Sequence, residues 1–373
     1  MALRVALSRV ALGVLVSVTV AALIGHGAAA QTRPAHPVAH LVSPLTTSTI
    51  PPMTKDDPAV GALVRDAVVA GRRVSYVGQL SSIRSGTKRA YAVIERVEHR
   101  APDETRRTYL APQALYGQFV ITRGAMSWDV DPSRKRVIVS ENKAAVDPVA
   151  VVDDIALLDG NYRAVRTATD QVANRKTDVV DLVSRYTGER TMRLWIDAET
   201  HVVLAKEAYH NDGSLAWRTR FDDIRYTDGI PQSIFTSATP AGYATVTGRS
   251  YQQPQTNPNA IPDAGFKPIK PKYLPEGFVL VGGDVNDAKG VRNLHLIYSD
   301  GIRTLSLFEN ATNRIADFEG MKPQTINFDK HDAKYVRDGP TTLLAWREEG
   351  LAFTIVGDLD LKDLVSIATS VVP

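Results

Sequence analysis

The feature that most constrains this chain is the stretch Asn161–Tyr226, where short β-rich runs follow one another and each stops at a polar turn. Its centre reads Tyr186-Thr187-Gly188-Glu189-Arg190-Thr191-Met192-Arg193-Leu194-Trp195-Ile196-Asp197, then Val202 to Tyr209, then Asn211-Asp212-Gly213 before Trp217-Arg218-Thr219-Arg220-Phe221. β-formers interrupted by Gly or Asn/Asp predict an antiparallel meander. In that setting His210-Asn211-Asp212 is a β-turn and not a polar site.

The same signal extends to both sides. From Val74 the period is two, with Val74, Tyr76, Gly78 and Leu80 on one side, and strand-like runs follow at 90–98, 106–110, 116–123 and 136–140. Further strands are predicted at 162–168, 177–186, 192–197, 202–209, 216–221 and 234–236. Two amphipathic helices interrupt them. One opens at Asp57-Pro58, carries Val60, Leu63, Val64, Ala67 and Val68 on one face and stops at Gly71; the other opens at Asp147-Pro148 and carries Val151, Val152, Ile155 and Leu158.

A sheet of about ten strands curls, because strand twist accumulates. The predicted fold class is therefore α+β, with an N-terminal half-open antiparallel β-barrel over residues 57–237 whose two helices lie across its mouth. An apolar cavity is expected beneath them, with Tyr76, Trp128, Leu194, Trp217 and Phe221 as candidates for lining it. Their alternative role is ordinary core packing.

The flanks read differently. Arg4 and Arg9 precede an uncharged apolar run from Val10 to Gly25 that ends in Ala28-Ala29-Ala30, the pattern of a secretory signal peptide cut near Ala30. An uncleaved anchor is the alternative, and the run is short for a span of about 20 residues. Residues 31–56, rich in Pro, Thr and Ser, read as a flexible arm. Residues 238–272, punctuated by Pro240, Pro254, Pro258, Pro262, Pro268 and Pro271, read as an interdomain linker. Beyond it, strand signals at 278–282, 292–298, 302–309, 332–337, 341–346 and 351–356 precede a C-terminal helix with Leu361, Leu364, Val365 and Ala368 on one face. A smaller α+β domain over 273–373 is expected.

Composition narrows the chemistry. The chain has no cysteine, so an exported form has neither disulfides nor a lipid-modified N-terminal Cys. Its net charge is +3, lower by two once Arg4 and Arg9 leave with the signal, which gives no basis for nucleic-acid or membrane-surface binding. Arg72-Arg73, Arg106-Arg107 and Arg134-Lys135-Arg136 read as solvated turns. The sequence contains no His-Glu-x-x-His, no Gly-x-Ser-x-Gly and no Walker-type glycine loop. No catalytic residue, metal site or cofactor is predicted, and binding is the expected activity.

One ordered set of residues resembles a known family. It comprises Leu157-Leu158 with Asn161-Tyr162, Arg193-Leu194-Trp195-Ile196-Asp197 with Glu199-Thr200, and Asp212-Gly213 in the following hairpin. In the second half it comprises Tyr273-Leu274-Pro275-Glu276-Gly277-Phe278, Tyr298-Ser299-Asp300-Gly301 with Leu305-Ser306-Leu307-Phe308, and Val356-Gly357-Asp358. With these the chain resembles the periplasmic sigma-E regulatory proteins of the MucB/RseB type, whose N-terminal domain is similar in fold to the lipoprotein carriers LolA and LolB. Two features depart from the family: Asn174, where it commonly has Gly, and the arm at 31–56.

The resemblance implies a periplasmic regulator of the envelope stress response. Such a protein binds the periplasmic domain of a membrane anti-sigma factor and senses a lipid or the acyl chains of a lipoprotein in its cavity. A LolA-like carrier of lipoproteins or lipids is the competing reading, and a second domain discriminates, because a carrier needs only the half-barrel.

Overall fold

The computed structural model of the chain describes residues 56–85, 90–141, 155–236, 239–247, 263–288, 291–312, 321–329, 331–338 and 341–372, with residues 261, 315 and 318. The expected signal peptide, nearly all of the expected arm and the helix start at Asp147-Pro148 lie outside these residues.

Helix α1 (Pro58–Ala70) begins where the Asp57 side chain accepts a hydrogen bond from the Ala59 N–H at 2.9 Å and Pro58 takes the first helical position. A short acidic cap and an N-terminal proline both suit a helix start. Val60, Leu63, Val64, Ala67 and Ala70 are buried, so the predicted stripe is the packing face.

That face lies on a 12-stranded sheet. Strands β1 (Tyr76–Ser85), β2 (Ala90–Arg100), β3 (Glu104–Ala111), β4 (Phe119–Arg123), β5 (Met126–Asp131) and β6 (Arg136–Glu141) form one antiparallel meander. After the short helix α2 (Ile155–Asn161), strands β7 (Tyr162–Val172), β8 (Arg175–Ser184), β9 (Arg190–Asp197), β10 (Val203–Tyr209) and β11 (Leu215–Tyr226) form another. Antiparallel pairing of β1 with β11 fuses the two meanders. A last strand, β12 (Ala244–Thr247), pairs parallel to β6, giving the order β12-β6-β5-β4-β3-β2-β1-β11-β10-β9-β8-β7.

Register shifts at Gln79/Leu80, Arg166/Ala168 and Ala208/Tyr209 interrupt the ladders, and such bulges bend strands and deepen their twist. The bending is visible in one contact. β7 touches β11 although β8, β9 and β10 lie between them, and the Arg220 guanidinium donates to the Gln171 carbonyl at 3.3 Å. The sheet stays open, with β12 and β7 at its two edges.

The second sheet has seven antiparallel strands: β13 (Val279–Ala288), β14 (Val291–Ser299), β15 (Thr304–Asn310), β16 (Gln324–Phe328), β17 (His331–Asp338), β18 (Thr341–Glu348) and β19 (Leu351–Gly357), in the order β13-β14-β15-β19-β18-β17-β16. Helix α3 (Leu361–Thr369) lays Leu364, Ile367 and Ala368 on a core with Leu294, Leu296, Tyr298, Trp346 and Phe353.

Several expectations are corrected. Residues 234–236 are not a strand: Pro231 sets up a 3₁₀ turn at Gln232–Phe235 that buries Phe235 beside Ile121 and Ile230. β5 and β16 are not among the predicted strands: Met126–Asp131 alternates apolar with polar residues but is only six residues long and carries two Asp, and Gln324–Phe328 is only five residues long. The expected linker is not free throughout, because β12 joins the first sheet while Ala264, Phe266 and Ile269 pack on the second core. Arg106-Arg107 is not a solvated turn either; both residues lie mid-strand in β3, and Arg107 is 4% exposed.

Candidate functional site

The two sheets meet at a clasp formed by the end of α2, the start of β7 and two turns of the second sheet. Asn161 projects its amide between them: Nδ2 donates to the carbonyls of Gly277 and Asp300, each at 2.9 Å, and Oδ1 accepts the Tyr186 hydroxyl at 3.0 Å. The Tyr162 hydroxyl donates to Asp300 Oδ2 at 2.7 Å. Arg303 Nε donates to the same oxygen at 2.9 Å, and its other end reaches Asn211 Oδ1 in the β10–β11 turn at 3.1 Å. Ile302 completes the contact by packing into the core of the first sheet.

Burial sets the electrostatics. Asp300 is 1% exposed, and the Arg303 guanidinium beside it is held above its usual pKa: burial alone would lower it, but the Asp300 carboxylate prevails. The Tyr162 phenol is pushed well above its ordinary range by burial and by Asp300. At neutral pH the clasp is therefore a neutral hydroxyl donating to a carboxylate that is already paired with a cation, an arrangement with every partner satisfied.

Two glycines make the approach close enough. Gly301 has φ +97°, and a Cβ there would stand 2.8 Å from the Leu158 backbone nitrogen; Gly277 has φ +87°, and its Cβ would stand 2.9 Å from the Tyr186 ring. Both lie in the left-handed region that side chains resist. Tyr298-Ser299-Asp300-Gly301 and Leu274-Pro275-Glu276-Gly277-Phe278 thus supply the second sheet's side of an intersheet contact with Asn161-Tyr162.

A cleft of about 310 Å³ opens directly behind the clasp. Val64, Leu158, Ala164, Leu182 and Tyr162 line it, with Asp57, Asp159, Arg65 and Arg185 among its polar residues. The charges are paired across it, Arg65 with Asp159 at 3.1 Å and Arg185 with Asp56 at 2.7 Å. None of the five residues predicted to line a cavity is among those lining this cleft. Tyr76, Leu194, Trp217 and Phe221 sit in one packed cluster of the first sheet, where the Tyr76 and Phe221 rings meet edge-on at 5.5 Å. Trp128 packs elsewhere, beside Ile121, Ile230 and Phe235.

The interior of the first sheet is also less apolar than the sequence suggests. Arg107 donates to both Glu95 oxygens, at 2.8 and 2.6 Å through Nη2, and both residues are buried. Burial alone would lower the Arg107 pKa, yet Glu95 keeps it raised. Lys206 is 4% exposed, with its ammonium 5.5 Å from the centroid of the Trp217 ring. His99 Nε2 contacts the Gly71 carbonyl, so that nitrogen carries the hydrogen and fastens the end of α1 to β2. The Arg193-Leu194-Trp195-Ile196-Asp197 run is structural: Arg193 bonds Asp181 at 2.6 and 2.9 Å, and Asp197 accepts the Glu199 and Thr200 N–H groups.

One cluster in the second sheet has the connectivity of a nucleophile relay. His295 Nε2 lies 3.0 Å from Ser306 Oγ and His295 Nδ1 lies 3.1 Å from Asp284 Oδ2. Ser306 is only 5% exposed, and its strand pairs on one side with β14 and on the other with β19. A serine there has its backbone N–H in the ladder, where it cannot serve a developing oxyanion. Among the described residues no group of His, Asp or Glu is arranged to hold a metal ion, and no helix is long and apolar enough to cross a membrane.

Comparison with known proteins follows the same division. The sequence profile of the MucB/RseB N-terminal domain matches residues 62–239, and that of a domain of unknown function (DUF4367) matches residues 268–371. Curated proteins give no match. Among solved structures, the chain is similar to MucB in complex with MucA(peri), at 17% identity over 84% of this chain and 98% of that one, with a TM-score of 0.57. The complex structure of Pseudomonas aeruginosa MucA/MucB gives 17% identity over 84% and 99%, with a TM-score of 0.58. A LolA superfamily protein from Nitrosomonas europaea covers 49% of this chain at a TM-score of 0.26, a level at which the likeness carries no argument.

Proposed function

Because this chain belongs to the MucB/RseB family, we propose that it is an exported, non-enzymatic regulatory protein that holds the periplasmic part of a membrane anti-sigma factor and responds to an apolar ligand. The observation that carries this reading is the clasp. A partner-binding protein whose grip depends on domain arrangement needs a contact between domains that a ligand can bias, and Tyr162 belongs to both the clasp and the cleft. Likeness in fold to MucB as found in complex with MucA supports the choice of partner.

In this reading the ligand, a lipid or the acyl chains of a lipoprotein, enters the cleft floored by Val64, Leu158, Ala164 and Leu182, and not a space beneath Tyr76, Leu194, Trp217 and Phe221. A chain end wedged there displaces Tyr162, releases Asp300 and moves the second sheet relative to the first. A ligand shifts such an equilibrium only by binding the two arrangements unequally. The second sheet favours a regulator over a carrier, because cargo transport gives no reason to clasp a further domain against the first.

The experiment is a titration of the periplasmic segment of the same organism's anti-sigma factor, followed by fluorescence anisotropy with and without a saturating lauroyl lipid. The expected result is tight binding that weakens with lipid. Absence of binding overturns the regulatory reading, and lipid-independent binding overturns the sensing step alone.

A further inference from the structure

Glu309 lies on the core-facing side of β15, level with Leu294 on β14 and Phe353 on β19, and is 0% exposed. Its Oε2 accepts the backbone N–H of Ile269 at 3.0 Å, while its Oε1 has no hydrogen-bond partner among the described residues. The Tyr298 hydroxyl and the Trp346 indole nitrogen, from the same core, are also without one. Ile269 belongs to the segment 263–274, which lays Ala264, Phe266, Ile269 and Leu274 on that core and runs directly into Gly277 of the clasp.

We propose that Glu309 is a proton-dependent latch: protonated, it seats segment 263–274 on the second core, and ionised, it favours a state in which the segment lifts and water reaches the carboxylate. An ionised carboxylate in apolar surroundings requires several donors, and a single N–H leaves most of its solvation unreplaced. Burial pushes the Glu309 carboxyl up to about 7, outweighing the opposite pull of the Ile269 N–H. From β14 the titratable neighbour is Tyr298, whose phenol is pushed above its usual range by burial and by Glu309, so it stays neutral. From β18 and β19 the core residues Trp346 and Phe353 carry no charge, and α3 packs Leu364, Ile367 and Ala368. Asp263, Lys267, Lys270 and Lys272 of the segment itself are exposed.

The sign follows from the direction of the shift. A carboxyl raised on burial stabilises the seated state fully below its ordinary pKa of 4.5, and that stabilisation is gone once the pH has risen through about 7. The latch requires no anti-sigma partner or lipid, so it stands apart from the function proposed above.

The test is hydrogen exchange by mass spectrometry on the full chain between pH 5 and pH 8, corrected for intrinsic rates. Opening of peptides covering 263–274 should increase by up to about tenfold per pH unit to pH 7 and then level off. In Glu309→Gln it should be flat and close to the wild-type value at pH 5. Glu309→Leu, which leaves no polar group to bury, gives a second flat profile should the amide pack poorly. Wild-type opening that does not change with pH, or a pH dependence that survives in both variants, overturns the proposal.

Discussion

The two sheets differ in how they hold the carboxylate buried among their strands. In the first, Glu95 meets Arg107, Asp181 meets Arg193 and Asp197 meets Arg175, so each of these buried carboxylates has a guanidinium at hydrogen-bond distance. In the second, Asp300 is likewise paired with Arg303, but Glu309 accepts a single backbone N–H, and among the described residues Tyr298 and Trp346 each keep a polar atom without a hydrogen-bond partner. A paired charge has its partner's N–H donors in place of the water it lost. A lone one makes burial conditional on its proton. With the Glu309 latch proposed above, the first sheet would serve as the rigid scaffold and the second, near the segment that leads to the clasp, as the adjustable member.

The largest expected effect tests the rigid side. Arg107→Met leaves Glu95 buried without its partner and should lower stability by about 3–5 kcal/mol, whereas adding Glu95→Leu should restore most of it; denaturant melts of the single and double variants measure both. Next comes the contact between the sheets. Gly301→Ala forces a side chain into left-handed backbone against Leu158 and should weaken docking by about 3 kcal/mol, splitting calorimetric unfolding into two transitions. Asn161→Ala removes the amide that bridges Gly277, Asp300 and Tyr186, and about 2 kcal/mol of the same coupling should go with it. The smallest effect is local: Asp57→Ala removes the cap of α1, costing about 1 kcal/mol and seen as faster amide exchange in its first turn. If Arg107→Met proved milder than Asn161→Ala, the assignment of rigid and adjustable halves would be reversed.

Much of the fold was readable because alternation and turns are local. Leu194 and Ile196 point inward and Arg193 pairs outward with Asp181, as period two requires. Two things were not readable, for different reasons. Glu95, Arg107 and Lys206 face the interior, but a pattern argument assigns every charge to solvent unless its partner is known, and Arg107 lies 12 residues from Glu95 on another strand. The clasp was hidden by distance along the chain: Asn161 and Asp300 are 139 residues apart, so their motifs looked like isolated turns until the sheets were placed together. Tyr76 and Phe221 take the alternative role of core packing, because large aromatics fill space as readily as they enclose it.

One detail of the clasp bears on how the molecule moves. Asp300 Oδ1 accepts the N–H groups of Ile302 and Arg303 from its own turn, at 2.9 and 2.7 Å, and only Oδ2 reaches across to Tyr162. The turn is thus braced from within and keeps its shape whether or not it is docked. In the ligand response proposed above, separation would break a few bonds at a surface without unravelling either partner, so the halves would part and rejoin like a plug and socket, with no refolding to slow the return.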